Sequence, residues 1–176
     1  MKRQIRAGIF ETNSSSMHSL VVRNMKEKLL YTDEEILEEL KNCNYVNDEG
    51  TIFDASWEDN WYYGRAPFEI LSDFSDKLRY VYSYYCYEET HETREQIVEI
   101  LKKHIPTLKS FSFPTDAYVD GYCPFWKASD GTLKIEEFLL NKKYVVIVDG
   151  DEYNEWGKLL GAGIINTKVF TKIFMG

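Results

Sequence analysis

The sequence predicts an α+β fold in a single domain that spans residues 1–176, with a mixed or antiparallel sheet and about four helices. Helix-like and strand-like segments do not alternate regularly along the chain, which disfavours a parallel α/β arrangement. The 176 residues are 44% hydrophobic, enough to form one buried core. No internal repeat or Pro/Gly/Ser-rich linker divides the chain.

The first third of the chain is predicted to contain three strands and a helix. Strands near residues 4–10 and 19–23 are joined by a hydroxyl-rich turn. Thr32-Asp33-Glu34-Glu35 has the pattern of a capping box, and the apolar residues behind it recur at helical spacing, so a helix should end near residues 42–44. The elements that follow are predicted as a short strand at 51–54 and an irregular aromatic and acidic loop at 57–64.

Two longer helices are predicted in the middle of the chain. Pro67 suits the first turn of a helix, and an apolar stripe from Phe74 to Tyr85 extends the prediction over roughly 67–86. A second capping box begins at Thr93, and its helix should end before Pro106. The remaining predicted elements are a strand near 117–120, a short helix at 135–141, a strand at 144–148, a helix at about 152–160 and a strand at 168–174.

The net charge of −8 is distributed unevenly. Residues 1–30 carry a net charge of +4, whereas residues 31–63 carry −9. Because an acidic protein is repelled by nucleic acid at long range, the composition disfavours wrapping of duplex DNA. Two kinds of contact remain: a local basic face near the N-terminus that meets phosphate, or an acidic face that meets a basic partner protein.

Cysteine usage and hydropathy predict a cytoplasmic protein without membrane contact. The three cysteines, Cys43, Cys86 and Cys123, are widely spaced and form no CxxC pair, so neither a zinc ribbon nor a disulfide framework is predicted. No apolar stretch approaches the roughly 18 residues that span a bilayer. The basic N-terminus is not followed by an apolar segment, so no secretory signal is predicted.

The most specific segment of the sequence is Glu11-Thr12-Asn13-Ser14-Ser15-Ser16-Met17-His18-Ser19-Leu20. A turn after a strand exposes backbone N–H groups, and serine and threonine hydroxyls add donors suited to phosphate. An imidazole in such a run can act as a general base for a hydroxyl or protonate a leaving oxygen. The predicted catalytic residues are Glu11, Ser14, Ser15 and His18, and the predicted substrate-binding residues are Arg3, Arg6, Thr12, Asn13 and Ser16. Alternatively, the hydroxyls satisfy local backbone groups in a β-turn or a helix N-cap.

A second candidate site follows the predicted strand at 144–148. Asp149 and Asp151 stand at the end of this strand, where carboxylates commonly bind hard cations. With Glu11 they form the predicted ligand set for Mg²⁺ or Mn²⁺. Alternatively, Asp149-Gly150 forms a hairpin turn, or Asp151 caps the next helix.

A third candidate is the aromatic and acidic segment around residues 57–63. Tryptophan and tyrosine dominate the hot spots of protein interfaces, so this segment and the acidic helix before it predict a partner-binding surface. Its residues are Glu34, Glu38, Trp57, Glu58, Asp59 and Trp61. Alternatively, the segment folds over the core and its charges are solvated. His91 and His104 lie on predicted helices without partners at metal-ligand spacing, and both are expected to be structural or exposed.

The sequence contains no P-loop, dinucleotide-binding, HExxH or GxSxG motif. Arg6 to Leu20 resembles the start of uncharacterised small proteins from phages, prophages and other mobile elements of Firmicutes, which share the pattern R-x-G-x-F-E-T-N-S-S-S-x-H-S. This resemblance covers only the N-terminal segment. It implies a protein of the host-cell cytoplasm with a role against host defence, including inhibition of CRISPR-Cas nucleases.

The leading hypothesis is an enzyme that acts on a nucleic acid or nucleotide by metal-dependent phosphodiester cleavage or phosphoryl transfer. It requires Glu11, His18 and the carboxylates at 149–151 to meet in the fold. The competing hypothesis is a non-enzymatic, acidic mimic of nucleic acid that occupies the basic groove of a host nuclease of the Cas type. A virion or replication accessory protein is a third possibility. The sequence predicts no oligomeric state.

Overall fold

A computed structural model of the chain describes residues 17–22, 29–58, 61–63, 69–87, 91–119 and 134–149. Residues 17–22, 85–87, 91–93 and 149 are described by their backbone alone. The elements predicted near 4–10, 152–160 and 168–174 lie outside the described residues, as do Cys123 and the side chain of Cys86.

The described residues form an α+β fold with four helices and seven strands, which confirms the predicted class. In chain order the elements are β1 (Met17–Val22), α1 (Asp33–Asn42), β2 (Ile52–Asp54), β3 (Trp61–Tyr63), β4 (Glu69–Leu71), α2 (Phe74–Tyr87), α3 (His91–His104), β5 (Ser110–Ser112), β6 (Ala117–Val119), α4 (Ile135–Leu140) and β7 (Tyr144–Asp149). None of these helices is long and apolar enough to cross a membrane.

The strands form three small sheets with both orientations, so the sheet content is mixed. β7 is the central strand of an antiparallel sheet with the order β1-β7-β4. β2 pairs in parallel with β5, and β3 pairs in parallel with β6. β1 and β7 are more than 120 residues apart in sequence, so their pairing joins the two ends of the described chain.

Helix α1 begins with the capping box that the sequence predicts. The Thr32 hydroxyl accepts a hydrogen bond from the Glu35 amide at 3.2 Å, and the Glu35 carboxylate accepts one from the Thr32 amide at 2.9 Å. The helix ends at Asn42, and Asn44 follows in the left-handed conformation with φ of 58°. Asparagine tolerates this conformation, which lets the chain turn away from the helix.

Helix α2 begins at Phe74, so the predicted start near Pro67 is wrong. Residues 69–71 instead form β4, in which Leu71 lies opposite Val146 of β7. Pairing with a distant strand therefore overrides the local preference for helix. The N-terminus of α2 is capped from another element, because the Ser75 amide donates to the Glu39 carboxylate of α1 at 3.1 Å.

The predicted irregular loop at 57–64 is wrong over Trp61–Tyr63, which form β3. Trp61 and Tyr63 are buried and Tyr62 between them is exposed, the alternation of a strand with one face on the core. The strand β5 was not predicted. Its residues are Ser-Phe-Ser, a run too short and too polar to indicate a strand without its partner β2.

Helix α2 lies at the centre of the core. It packs against β3, β4 and β6 and against the three other described helices. Its residues 80–84 are all buried, which is typical of a helix enclosed on every side. The polar groups on such a helix need partners inside the protein: the Ser83 hydroxyl lies 2.8 Å from the Trp61 carbonyl oxygen, and the Tyr82 hydroxyl donates to the Pro114 carbonyl at 3.1 Å.

Lys77 of α2 is fully buried and binds the C-terminal end of α4. Its ammonium group donates to the carbonyls of Phe138 at 3.0 Å and Asn141 at 3.1 Å. It also lies 5.2 Å from the centre of the Tyr31 ring and 5.5 Å from that of Phe138. The last carbonyls of a helix lack hydrogen-bond partners within the helix and carry partial negative charge. The buried ammonium group of Lys77 supplies both a hydrogen-bond donor and a positive charge to these carbonyls.

We expect Lys77→Met to lower the free energy of unfolding by about 2–4 kcal/mol, because the change leaves two buried carbonyls without this donor. Urea denaturation at neutral pH would measure the loss. Lys109→Met, at an exposed position, is the matched control and should change stability by less than about 0.5 kcal/mol. Equal effects of the two changes would contradict the capping role.

Candidate functional site

The candidate site lies at the edge of the β1-β7-β4 sheet where β1 begins and β7 ends. In the antiparallel pair, Met17 lies opposite Asp149 and His18 lies opposite Val148. Opposed residues of such a pair have Cα atoms about 5 Å apart. Ser16, the last residue of the predicted phosphate-binding run, is bonded to Met17. The fold therefore brings Met17, the residue that directly follows this run, and the backbone of Asp149 to one edge.

The register also assigns these residues to faces of the sheet. His18, Val148 and Glu69 form one row across the three strands. The row containing Val148 belongs to the face that also carries Val146 and Leu71 and packs on the core. Asp149 and Met17 form the next row, and successive rows belong to opposite faces because side chains alternate along a strand. His18 and Asp149 are thus neighbours along the edge but on different faces.

The other predicted residues of this site lie outside the described residues. They are Arg3, Arg6, Glu11, Thr12, Asn13, Ser14, Ser15, Ser16 and Asp151. The convergence of Glu11, His18 and Asp151 therefore stays a prediction. In the described part of the chain, no group of three or more His, Cys, Asp or Glu side chains is arranged to hold a metal ion.

A polar cluster that sequence reasoning missed surrounds Arg79 of α2. We call it the Arg79 cluster, and its members are Tyr45, Glu58, Trp61, Asp76 and Arg79. The Glu58 carboxylate accepts hydrogen bonds from the Tyr45 hydroxyl at 2.7 Å and from the Trp61 indole N–H. Nη2 of Arg79 lies 3.7 Å from the same Glu58 oxygen, an ion pair without a hydrogen bond.

Burial and neighbouring charges shift the pKa values of this cluster. Burial, together with the hydrogen bond to Glu58, raises the pKa of the Tyr45 hydroxyl. Burial also raises the pKa of Asp76, as do the charges of Asp73 and Glu69, while Arg79 opposes the shift. Burial lowers the pKa of Arg79, but its interactions with Tyr63, Tyr45 and the two carboxylates raise it more. The guanidinium therefore stays charged in the folded protein.

The predicted partner-binding residues are divided between surface and core. Glu34 and Glu38 are exposed on α1, and Trp57 is 52% exposed, with its indole N–H donating to the Asp54 carbonyl at 3.0 Å. Glu58 points into the Arg79 cluster. Trp61 has no exposed surface. Asp59 lies outside the described residues. Among the described members of this surface, Glu34, Glu38 and Trp57 are therefore the accessible ones.

His104 joins the ends of three helices. Its Nδ1 lies 2.7 Å from an Asp33 carboxylate oxygen in α1, and its Nε2 lies 3.6 Å from Glu136 in α4. Glu136 also pairs with Lys103 at 2.5 Å, and this hydrogen bond is the main cause of its lowered pKa. Cations at the last turn of α3 and anions at the first turns of α1 and α4 complement the helix dipoles. This arrangement is structural.

Comparison with known proteins adds no assignment: no family model matches the chain, and no curated protein or solved structure shows significant similarity to it. The functional interpretation therefore depends on the residues and their geometry.

Asp76 should make stability depend on pH. Its pKa in the folded protein is raised above the ordinary value of 3.8, so just above pH 3.8 the folded state holds a proton that the unfolded state has released. Binding of this proton stabilises the folded state, and the stabilisation is lost as pH rises through the raised pKa of Asp76 in the folded protein. We expect the stability of Asp76→Asn relative to the wild type to increase between about pH 4 and about pH 7.

Urea denaturation at several pH values would measure this difference. Asp116→Asn, at an exposed position, changes the net charge equally and is the control. A stability difference between Asp76→Asn and the wild type that is constant across the range would show that Asp76 does not hold the extra proton.

Proposed function

We propose that the protein is an enzyme that acts on a phosphate-containing substrate, a nucleic acid or a nucleotide, by metal-dependent phosphodiester cleavage or phosphoryl transfer. The observation that supports this proposal is the antiparallel register of β1 and β7. It places Met17 and His18, which directly follow the hydroxyl-rich run, opposite Asp149 and Val148, although β1 and β7 are more than 120 residues apart in sequence. The sequence predicts phosphate binding by that run and metal binding by Asp149.

The residues have distinct roles in this proposal. Glu11, Asp149 and Asp151 would hold Mg²⁺ or Mn²⁺, because carboxylate oxygens suit hard cations. Such an ion supplies Lewis-acid stabilisation of phosphoryl oxygens and lowers the pKa of a bound water. Thr12, Asn13, Ser14, Ser15 and Ser16 would bind the phosphate with Arg3 or Arg6. His18 would take a proton from the attacking hydroxyl or water, or give one to the leaving oxygen.

We expect turnover of RNA, DNA or a nucleotide in the presence of Mg²⁺ or Mn²⁺, and its loss in Glu11→Ala and His18→Ala. Removal of a general acid or base lowers kcat by about 100-fold or more. His91→Ala and Glu95→Ala, two changes of the same kind on α3, are the controls and should leave kcat within a factor of about two. Full activity of both Glu11→Ala and His18→Ala would exclude this proposal.

A second candidate function, the acidic inhibitor of a nucleic-acid-binding protein, is supported by the exposed face of α1. Glu34 and Glu38 stand four residues apart, one turn along the same face of the helix, and neither forms an ion pair with a described residue. A basic groove such as that of a Cas-type nuclease would complement this face. Binding would be stoichiometric and would weaken as salt increases.

We expect the double change Glu34→Gln and Glu38→Gln to weaken binding to such a nuclease by about tenfold or more at low salt, because two facing charges are removed. Glu95→Gln with Glu99→Gln is a matched control, since these residues are also exposed and four apart on a helix. Titration of nuclease inhibition against inhibitor concentration would compare the variants. Equal inhibition by both double variants would rule out α1 as the contact surface.

A further inference from the structure

We infer that the outer face of the β3-β6 pair is a docking surface for a basic protein partner, which it recognises through an arginine side chain. The surface consists of Tyr62, Tyr118 and Asp116, and we call it the tyrosine surface. The inference rests on the second candidate function, the binding of a basic protein, and is independent of the enzymatic activity. It adds two aromatic contact residues that the sequence did not indicate.

The two tyrosines lie side by side on the outer face of this sheet. Tyr62 is opposite Tyr118 in the parallel register, and their ring centroids are 5.4 Å apart with the ring planes 14° from parallel. The strand residues on either side of each tyrosine are buried, whereas Tyr62 is 48% exposed and Tyr118 is half-buried. Rings at this separation and angle are stacked. The pair therefore presents one flat aromatic patch to solvent.

The β3-β6 pair is fixed in place by the central helix. The Ser83 hydroxyl lies 2.8 Å from the Trp61 carbonyl oxygen of β3, and the Tyr82 hydroxyl donates to the carbonyl of Pro114, three residues before β6, at 3.1 Å. The rings of Trp61 and Tyr82 also pack edge to face, with centroids 5.3 Å apart. A surface whose backbone is already ordered costs less entropy on binding. The tyrosines therefore stand on a preformed support.

The charges around the tyrosine surface favour a cationic partner. Asp116 is exposed and forms no ion pair with a described residue. It is two residues before Tyr118, the spacing at which side chains of an extended chain share a face. The segments that contain the surface, 42–64 and 110–126, hold five and two acidic residues and no lysine or arginine. Such surroundings attract a cation and repel phosphate.

An arginine side chain fits this combination of groups better than a lysine does. Its planar guanidinium stacks on an aromatic face and has further N–H groups that donate to a carboxylate. The ammonium group of lysine is more strongly hydrated and has no plane to stack. A nucleobase also stacks on tyrosine, but it brings a phosphate that the acidic surroundings repel. The chemistry therefore favours a partner protein over a single-stranded nucleic acid.

Binding of an oligoarginine and an oligolysine peptide of equal length, measured by calorimetry, tests the inference. We expect the double change Tyr62→Ala and Tyr118→Ala to weaken binding of the arginine peptide at least about fivefold, because both rings are removed. Binding of the lysine peptide should change by less than about twofold. Tyr62→Phe keeps the ring and should retain the wild-type affinity. Ile52→Ala, at a strand position that is 45% exposed, is the matched control and should leave both affinities unchanged.

Circular dichroism would first establish that the variants are folded. If the double variant does not fold, the single change Tyr62→Ala at the more exposed position decides the question. Equal affinity of the wild type and the tyrosine variant for the arginine peptide would overturn the inference, as would tighter binding of an oligouridine RNA than of this peptide. Self-association of the wild type that the tyrosine changes remove would also overturn it, because the face would then join two copies of the chain.

The outcomes separate the tyrosine surface from the second candidate function. Tyrosine-dependent binding of the arginine peptide without inhibition of the nuclease tested would retain the surface and refute the inhibitor. Nuclease inhibition that the Glu34→Gln and Glu38→Gln changes remove and the tyrosine changes leave intact would retain the inhibitor and refute a role of the tyrosine surface.

Discussion

The constraint on which the described fold depends is the burial of the middle of α2, where residues 80–84 are all buried. A buried polar group on this helix cannot reach water, so it needs a partner within the protein. The neighbours supply those partners: Glu39 of α1 caps its first turn, and the end of α4 accepts from Lys77. The same contacts that satisfy α2 therefore also position α1 and α4.

The polar residues of α2 can be divided by whether the protein satisfies them. Ser83 and Lys77 have partners among the main-chain carbonyls around them, and their roles are structural. Arg79 keeps a buried donor unused, although a carboxylate lies beside it. His104 of α3 likewise has a buried ring nitrogen, Nε2, without a hydrogen-bond partner among the described residues.

Local signals were sufficient for some elements and insufficient for others. The capping box at Thr32 and the apolar run at 144–148 predicted α1 and β7 closely, because their causes lie within a few residues. The start of α2 and the strand β3 could not be predicted in the same way, since β4 and β3 exist through pairing with β7 and β6. The Arg79 cluster joins residues of β3 and α2 with Tyr45 and Glu58 from two loops, and in sequence Arg79 is only one charge in an aromatic helix.

The pairing of β1 with β7 has a consequence for how the protein is made. Closing a loop of more than 120 residues is entropically costly, and such contacts form late in folding. During synthesis from the N-terminus, β1 leaves the ribosome long before its partner exists. The edge that carries His18 and Asp149 therefore cannot form until residues 144–149 have emerged. A chain that stops before residue 144 contains the complete hydroxyl-rich segment but lacks β7, so this edge cannot form. The proposed activity therefore requires synthesis of nearly the whole described fold.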